Sequence, residues 1–351
     1  NSVEDCISAT LLPIAHELSS TVLSQSATKE EEEMITALAK RVSGVCDDLS
    51  RFNAYADPQL AFWAELRVTR RGPSLELKTA PIHVWEALKE RLFRDSACTI
   101  LTSATLSANK RFDLFQERLG ITECKTTLVE SPFDYPQRVR ILIPPNLPDP
   151  QGNKDDSLAS VVQMSEQLSD IVPGGIFVLF TSWNMLRQAE LKLRGRLQGR
   201  ELLAQGDGPA DEVLARFRSA GNALLLGTDT FWQGVDVPGR ALSCVVIARL
   251  PFAPPDSPIE EARKEWYQER GRRPFDHYSL PKAVVKFRQG FGRLMRRHED
   301  SGAIVVLDPR IKTKRYGRVF LESIPKCPIL LDLSELKAFF AERPIPPANG
   351  S

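Results

Sequence analysis

In the stretch QGFGRLMRRHED, residues 289–300, one glutamine, two glycines and three arginines interrupt an otherwise helical pattern. Glycine inside a helix costs roughly 1 kcal/mol relative to alanine, so Gly290 and Gly292 need a reason. At about 100° per residue, Gln289, Arg293 and Arg296 fall within about 60° of one another. Val284, Phe287, Phe291, Leu294 and Met295 fall on the opposite side. An amphipathic helix with a solvated polar face accounts for the arginines and leaves the glycines unexplained. Glycines that admit close backbone approach, so that a glutamine and two arginines point together into a cleft, account for both. Arginine is planar, always charged and bidentate, which suits it to phosphate.

A constellation of this kind needs rigid elements beneath it. From residue 131 onward short apolar runs recur, VRILIP, GIFVLFT, NALLLGT, SCVVIARL, AIVVLD and CPILLDL. They alternate with helical stretches near 157–170, 184–198, 210–219, 257–270, 281–297 and 313–323. Apolar strands separated by helices predict an α/β fold, a parallel sheet with helices on both faces. In such sheets ligands sit at the carboxyl ends of the strands. Upstream, residues 57–130 predict two strands, FWAELRV and SLELKTA, around the turn TRRGP; then a helix, APIHVWEALKERLF; then a buried strand, ACTILTSATLS. Residues 1–56 show helical spacing, with Ile35, Leu38, Val42, Val45 and Leu49 recurring at three or four, and predict a helical hairpin. The expected divisions are therefore 1–56, 57–130 and 131–351.

The bulk numbers leave the partner open. The chain has 351 residues, 42% hydrophobic and 26% charged, with a formal net charge of +1. That balance excludes a bulk electrostatic grip on nucleic acid and permits a local basic patch. The six cysteines are scattered without a CxxC pair or a histidine cluster, so no metal site is expected and free thiols in a reducing, cytoplasmic setting are. Cys98, Cys244 and Cys327 lie in apolar runs where a thiol simply packs. No apolar stretch approaches the roughly 20 residues that span a bilayer, and the first residues lack a basic leader pattern. With four histidines and no GxGxxG, a metabolic α/β enzyme finds no support.

The pattern Q-x-x-G-R-x-x-R resembles motif VI of superfamily 2 helicases. LTSATL (101–106) resembles motif III, FVLFTS (177–182) motif IV and LLGTDTFWQGVDVPG (225–239) motif V, in the family's order. The wording ESPFDY (130–135), ARLPFAPPDSP (248–258), QGFGRLMRR and VVLDPRI (305–311) resembles the DinG-like branch of the XPD family, over about Phe62 to Pro325. The resemblance implies a RecA-like fold, with residues 1–56 as the end of an arch-type insertion, 57–130 as the end of a first motor domain and 131–351 as a second.

The resemblance also implies roles. Ser103, Ala104 and Thr105 would couple the nucleotide site to the nucleic-acid site, although this stretch would serve equally as a helix N-cap. Thr181, Ser182 and Trp183 would hold a single strand through hydroxyls and base stacking. For Trp183, a core position is the favoured alternative. Gly227, Thr228 and Thr230 would touch the nucleic-acid backbone, and Gly234 and Asp236 would face the nucleotide. Gln233 stands where the family usually has glutamate, which puts any salt bridge there in doubt. Arg293 and Arg296, with Gln289, would act on the γ-phosphate as arginine fingers.

A motor of this family also needs G-x-x-x-x-G-K-[ST] for phosphates and D-E-x-H for Mg²⁺, and neither occurs here. Both lie upstream of the arch in the family, as do the ligands of any iron–sulfur cluster. The chain is thus expected to be the C-terminal part of an ATP-dependent helicase, monomeric, acting on single-stranded DNA 5′ to 3′ in a DNA-repair setting, and inactive alone. The alternative is a non-catalytic RecA-like binding module without the motor.

Overall fold

The computed structural model describes residues 28–342 except 55–56, 70–71, 95, 97, 104, 108–110, 151, 229–230, 232–240 and 255–256, together with Pro13 and Glu17. The chain divides into two compact units, Asn1–Val84 with Asp256–Arg263, and Trp85–Pro255 with Lys264–Ser351.

In the first unit, helix α1 (Lys29–Ala54) confirms one arm of the expected helical hairpin, and the other lies outside the described residues. Thr28 and Glu31 cap it reciprocally: Thr28 N donates to the Glu31 carboxylate at 2.8 Å and Glu31 N to the Thr28 hydroxyl at 3.4 Å. Strands β1 (Leu60–Thr69) and β2 (Gly72–Pro81) pair antiparallel over their full length. Gly72, at φ +113°, supplies the left-handed backbone where β2 begins.

The second unit is built on a seven-stranded parallel sheet. Its strands are β3 (Val139–Leu142), β4 (Ile176–Leu179), β5 (Leu202–Ala204), β6 (Leu224–Gly227), β7 (Cys244–Ile247), β8 (Gly302–Val306) and β9 (Ile329–Leu330). The order is β5-β6-β4-β7-β8-β3-β9. Successive side chains point to opposite faces, so Phe177 and Leu179 enter one core and Ile176 and Val178 the other. The first face is covered by α5 (Ala210–Ala220), through Val213, Leu214 and Phe217, and by α7 (Leu280–Phe291), through Ala283, Val284, Phe287 and Phe291. The second is covered by α3 (Lys154–Ile171), α4 (Trp183–Leu193) and α8 (Leu333–Glu342). Because every strand of the centre is apolar on both sides, helices must lie on both faces, as the sequence predicts. In the chain α2 (Asp113–Leu119) precedes β3, and α6 (Pro258–Glu269) lies between β7 and α7.

The amino-terminal edge of the sheet is stitched tightly. A Cβ on Gly175 would stand 2.0 Å from the Ala241 carbonyl oxygen, and one on Gly302 2.2 Å from that of Ser243. Arg200 closes this edge: its guanidinium donates to the carbonyls of Ser169 (2.8 Å), Gly174 (2.7 Å), Asn222 (2.6 Å) and Val172. Burial depresses its pKa, with Cys244 and Asp170 opposing. Arg200→Met strands four carbonyls at once and is expected to lower unfolding free energy by about 3–5 kcal/mol. A urea titration reads this as a lower midpoint with an unchanged slope.

Three sequence expectations change. ACTILTSATLS forms no strand among its described residues; Cys98 and Ile100 are exposed, because a strand requires a hydrogen-bonding neighbour and this segment has none. Cys244, by contrast, is buried as expected. The helix near 281–297 ends at Phe291. The stretch 313–323 splits into short helices at Arg310–Thr313 and Gly317–Glu322. No helix among the described residues is long and apolar enough to cross a membrane.

Candidate functional site

The carboxyl end of α7 determines where the motif VI side chains stand. Gly292 is the C-cap, at φ −66° and ψ −5°, and its N–H returns to the Arg288 carbonyl at 2.8 Å. A Cβ there would lie 3.2 Å from that same carbonyl oxygen. The backbone then tightens: Arg293 N bonds the Gly290 carbonyl (3.2 Å) and Leu294 N that of Phe291 (3.2 Å). Arg293 and Arg296 therefore sit on a turn after the helix, not on its face. Gln289 remains in the last helical turn.

That turn is held from several sides. The buried Asp300 carboxylate accepts from Arg296 N and Arg297 N, both at 2.8 Å. Tyr135 lies against Phe291 with ring centroids 5.6 Å apart, and Phe133 against His298 at 5.3 Å. Asp134 caps its short helix by accepting from Gln137 N (3.2 Å), and the Arg138 guanidinium donates to the Glu299 carbonyl (3.1 Å). ESPFDY, which the sequence offered only as wording, is thus the support of the arginine turn.

Arg288 ties this region to the LTSATL segment by donating to the carbonyl of the buried Ser107 and, at 3.5 Å, to its hydroxyl. Burial holds the Arg288 pKa below its ordinary value. Within the segment, the Ser103 and Thr105 hydroxyls are 3.3 Å apart, and Thr105 N donates to Ser103 Oγ at 3.3 Å. Ser103, Thr105, Gln289, Arg293 and Arg296 line one open cleft of about 1920 Å³. Ala104 lies outside the described residues. Guanidiniums and an amide on one wall fit the phosphate end of a nucleotide.

A second group stands at the carboxyl ends of β4, β5 and β6. The Ser182 hydroxyl caps α4 by accepting from Met185 N at 3.4 Å. Thr181 is half-buried, and Trp183, in the first turn, is 49% exposed, which removes the core alternative. The Arg187 guanidinium sits 5.7 Å from the Trp183 ring, and bonds Glu190 at 2.8 Å. It also packs over Gly206, where a Cβ would meet it at 2.4 Å. Gly227 and Thr228 are buried, unlike Trp183. A Cβ on Gly227 would stand 2.8 Å from both Phe177 and Phe231, so packing alone explains this glycine. Thr228 donates through N (2.6 Å) and through its hydroxyl (2.9 Å) to the side-chain oxygen of Gln205. Thr230, Gln233, Gly234 and Asp236 lie outside the described residues. Gln205 and Asp300 were missed by the sequence reading; a lone glutamine or aspartate in a loop carries no periodic signal.

Comparison with known proteins adds the following. Residues 165–327 match the helicase C-terminal domain family. The chain is 36% identical to the 3′-5′ exonuclease DinG of Bacillus subtilis (strain 168) over 310 residues, covering 86% of this chain and 33% of that protein. It is 38% identical to the ATP-dependent DNA helicase YoaA of Escherichia coli (strain K12) over 293 residues, 84% of this chain and 45% of that protein. The chain therefore spans a third to a half of the length of these curated relatives. A solved XPD helicase structure shares the fold, with a TM-score of 0.57 and 15% identity over 87% of this chain and 56% of its own.

Proposed function

Taking the chain as a C-terminal portion of the DinG-like, XPD-related superfamily 2 family, we propose that it is the arginine-finger half of an ATP-dependent DNA helicase. Residues 1–56 end an arch-type insertion, 57–130 end the first motor domain and 131–351 form the second. The observation that carries this function is the shared cleft, lined by Arg293, Arg296 and Gln289 together with Ser103 and Thr105. In this role the guanidiniums stabilise charge on a γ-phosphate as its bond to the leaving oxygen lengthens. Ser103 and Thr105, whose hydroxyls already bond each other, exchange partners as the nucleotide changes, and Arg288 passes that change to the arginine turn. Gly234, Asp236 and Gln233 face the nucleotide, while the phosphate loop and the Mg²⁺ ligands belong to an upstream half.

Single-stranded DNA runs over the carboxyl ends of the strands, held by Thr181, Ser182 and Trp183 and, in motif V, by Thr230, while the buried Gly227 and Thr228 set the start of that loop through packing and the bonds to Gln205. The half-exposed Trp183 offers a stacking face that accepts any base. Translocation is 5′ to 3′, by a monomer, in the cytoplasm. The test joins sequence and assay. The reading frame upstream of Asn1 should encode a phosphate-loop lysine and a D-E-x-H. The longer protein should hydrolyse ATP when single-stranded DNA is added and unwind duplexes with a 5′ tail, and this chain alone should do neither. An upstream frame without those motifs would leave the binding-module alternative.

A further inference from the structure

Resting on the proposed DNA track, we propose a further phosphate site on it: a cationic site at the carboxyl ends of β7 and β8, centred on Arg249, that takes a backbone phosphodiester of single-stranded nucleic acid. Register places it beside the residues already assigned. Leu179 of β4 pairs with Ile247 of β7, and Ile247 with Val306 of β8. Thr181, Arg249 and Asp308 each follow two residues later, in the loops that leave three neighbouring strands. Strands lie about 4.8 Å apart, which extends the row by two strand widths, roughly 10 Å.

The charges at this edge do not balance among the described residues. Asp308 is fully buried, and four donors occupy its two oxygens. Leu250 N (2.8 Å) and the Arg310 terminal nitrogen (2.6 Å) bond Oδ2, and Arg310 N (3.0 Å) and Arg310 Nε (2.9 Å) bond Oδ1. Its charge is thereby committed to Arg310, whose guanidinium also lies 5.6 Å from the Phe252 ring and is acted on by Asp149. Arg249 is half-buried, and its Nε is buried without any hydrogen-bond partner. Burial lowers its pKa, Asp308 partly opposes this, and Arg310 adds to it. Lys312 adds a third cation, its Nζ donating to the Ile143 carbonyl at 3.2 Å. Exposed Lys314 and Arg315 follow on the same loop. Two guanidiniums thus crowd the Asp308 carboxylate, and that of Arg249 keeps an unmet N–H. A planar, permanently charged fork with an open donor is completed by an oxyanion, and the anion that recurs along a row of strand ends is the phosphodiester. ARLPF and VVLDPRI, which carried only family resemblance, receive a task in this way.

Fluorescence anisotropy with labelled dT20 across a salt series tests the site in this chain. Arg249→Gln should weaken binding about 5- to 20-fold and flatten the log–log salt slope by about 0.7, the signature of one lost contact to a single strand. Arg249→Lys should restore the slope but not the full affinity. The thermal midpoint of Arg249→Gln should not fall, whereas a merely structural arginine would lower it. Trp183→Ala should weaken binding with the slope unchanged. If Arg249→Gln leaves affinity and slope intact while Trp183→Ala weakens binding, the site is wrong and the track stands. If wild type does not bind dT20, both fall. If Arg249→Gln instead reduces binding of a fluorescent ATP and spares dT20, the phosphate is a nucleotide's and the assignment is overturned.

Discussion

Arg293→Ala, or Arg296→Ala, in a polypeptide carrying this chain with its upstream half is expected to lower kcat for DNA-stimulated ATP hydrolysis by about 10³-fold, with KM little changed. The size follows from what a finger does: it meets charge that is present in the transition state and absent from bound ATP, so its loss falls on kcat. The placement supports this. Both arginines leave α7 on a turn fixed by the two backbone bonds to Asp300 and by Tyr135 against Phe291, so their backbone is positioned before any nucleotide arrives. Lysine at either position should recover little, since a point charge cannot form the two parallel bonds of a guanidinium. If these were ordinary solvated arginines, alanine would shift stability by less than about 0.5 kcal/mol and leave turnover unchanged. A loss below tenfold in steady-state hydrolysis would count against the finger assignment.

Asp308→Asn is expected to destabilise the second unit by about 3–5 kcal/mol. The carboxylate has no exposure, and its side-chain ion pair with Arg310 closes at 2.6 Å. Deleting one charge of a buried pair leaves the other uncompensated, which costs more than the pair contributes. Here the effect is compounded, because without the carboxylate the Arg249 and Arg310 guanidiniums repel each other with no charge to offset them. Adding Arg249→Gln to Asp308→Asn should therefore recover part of the loss, on the order of 1 kcal/mol, a coupling that distant sites would not show. Urea titrations of the two single variants and the double variant measure it. Strict additivity would sink the shared-carboxylate account.

The sheet was legible because its strands are apolar on both faces: GIFVLFT, NALLLGT, SCVVIARL and AIVVLD could hardly be anything else. β5 was not, since Leu202–Ala204 offers three apolar residues between polar neighbours, too few to carry a period. The order of motifs located the arginines, but helical periodicity misjudged their support. A 3.6-residue count registers side chains and ignores the backbone; Gly292, taken as a device for close packing, is where the helix stops. ACTILTSATLS misled for a different reason: an apolar run specifies a strand only when a neighbouring strand is present to accept it. For Trp183 average tendencies favoured a core position over a stacking one, whereas its place in the first turn of α4, at the end of a strand, sets it half in solvent. Gln205, which holds Thr228 by two bonds, had no pattern to betray it.

The contrast between the two edges of the sheet has a mechanical meaning. At the amino-terminal edge there is no room for a methyl group at Gly175 or Gly302, and one guanidinium binds four carbonyls. At the opposite edge the chain carries the half-exposed Trp183 ring and an unmet donor on Arg249. On the proposed DNA track, a pulled strand would load the loops, and behind them lies the tightly packed amino-terminal edge.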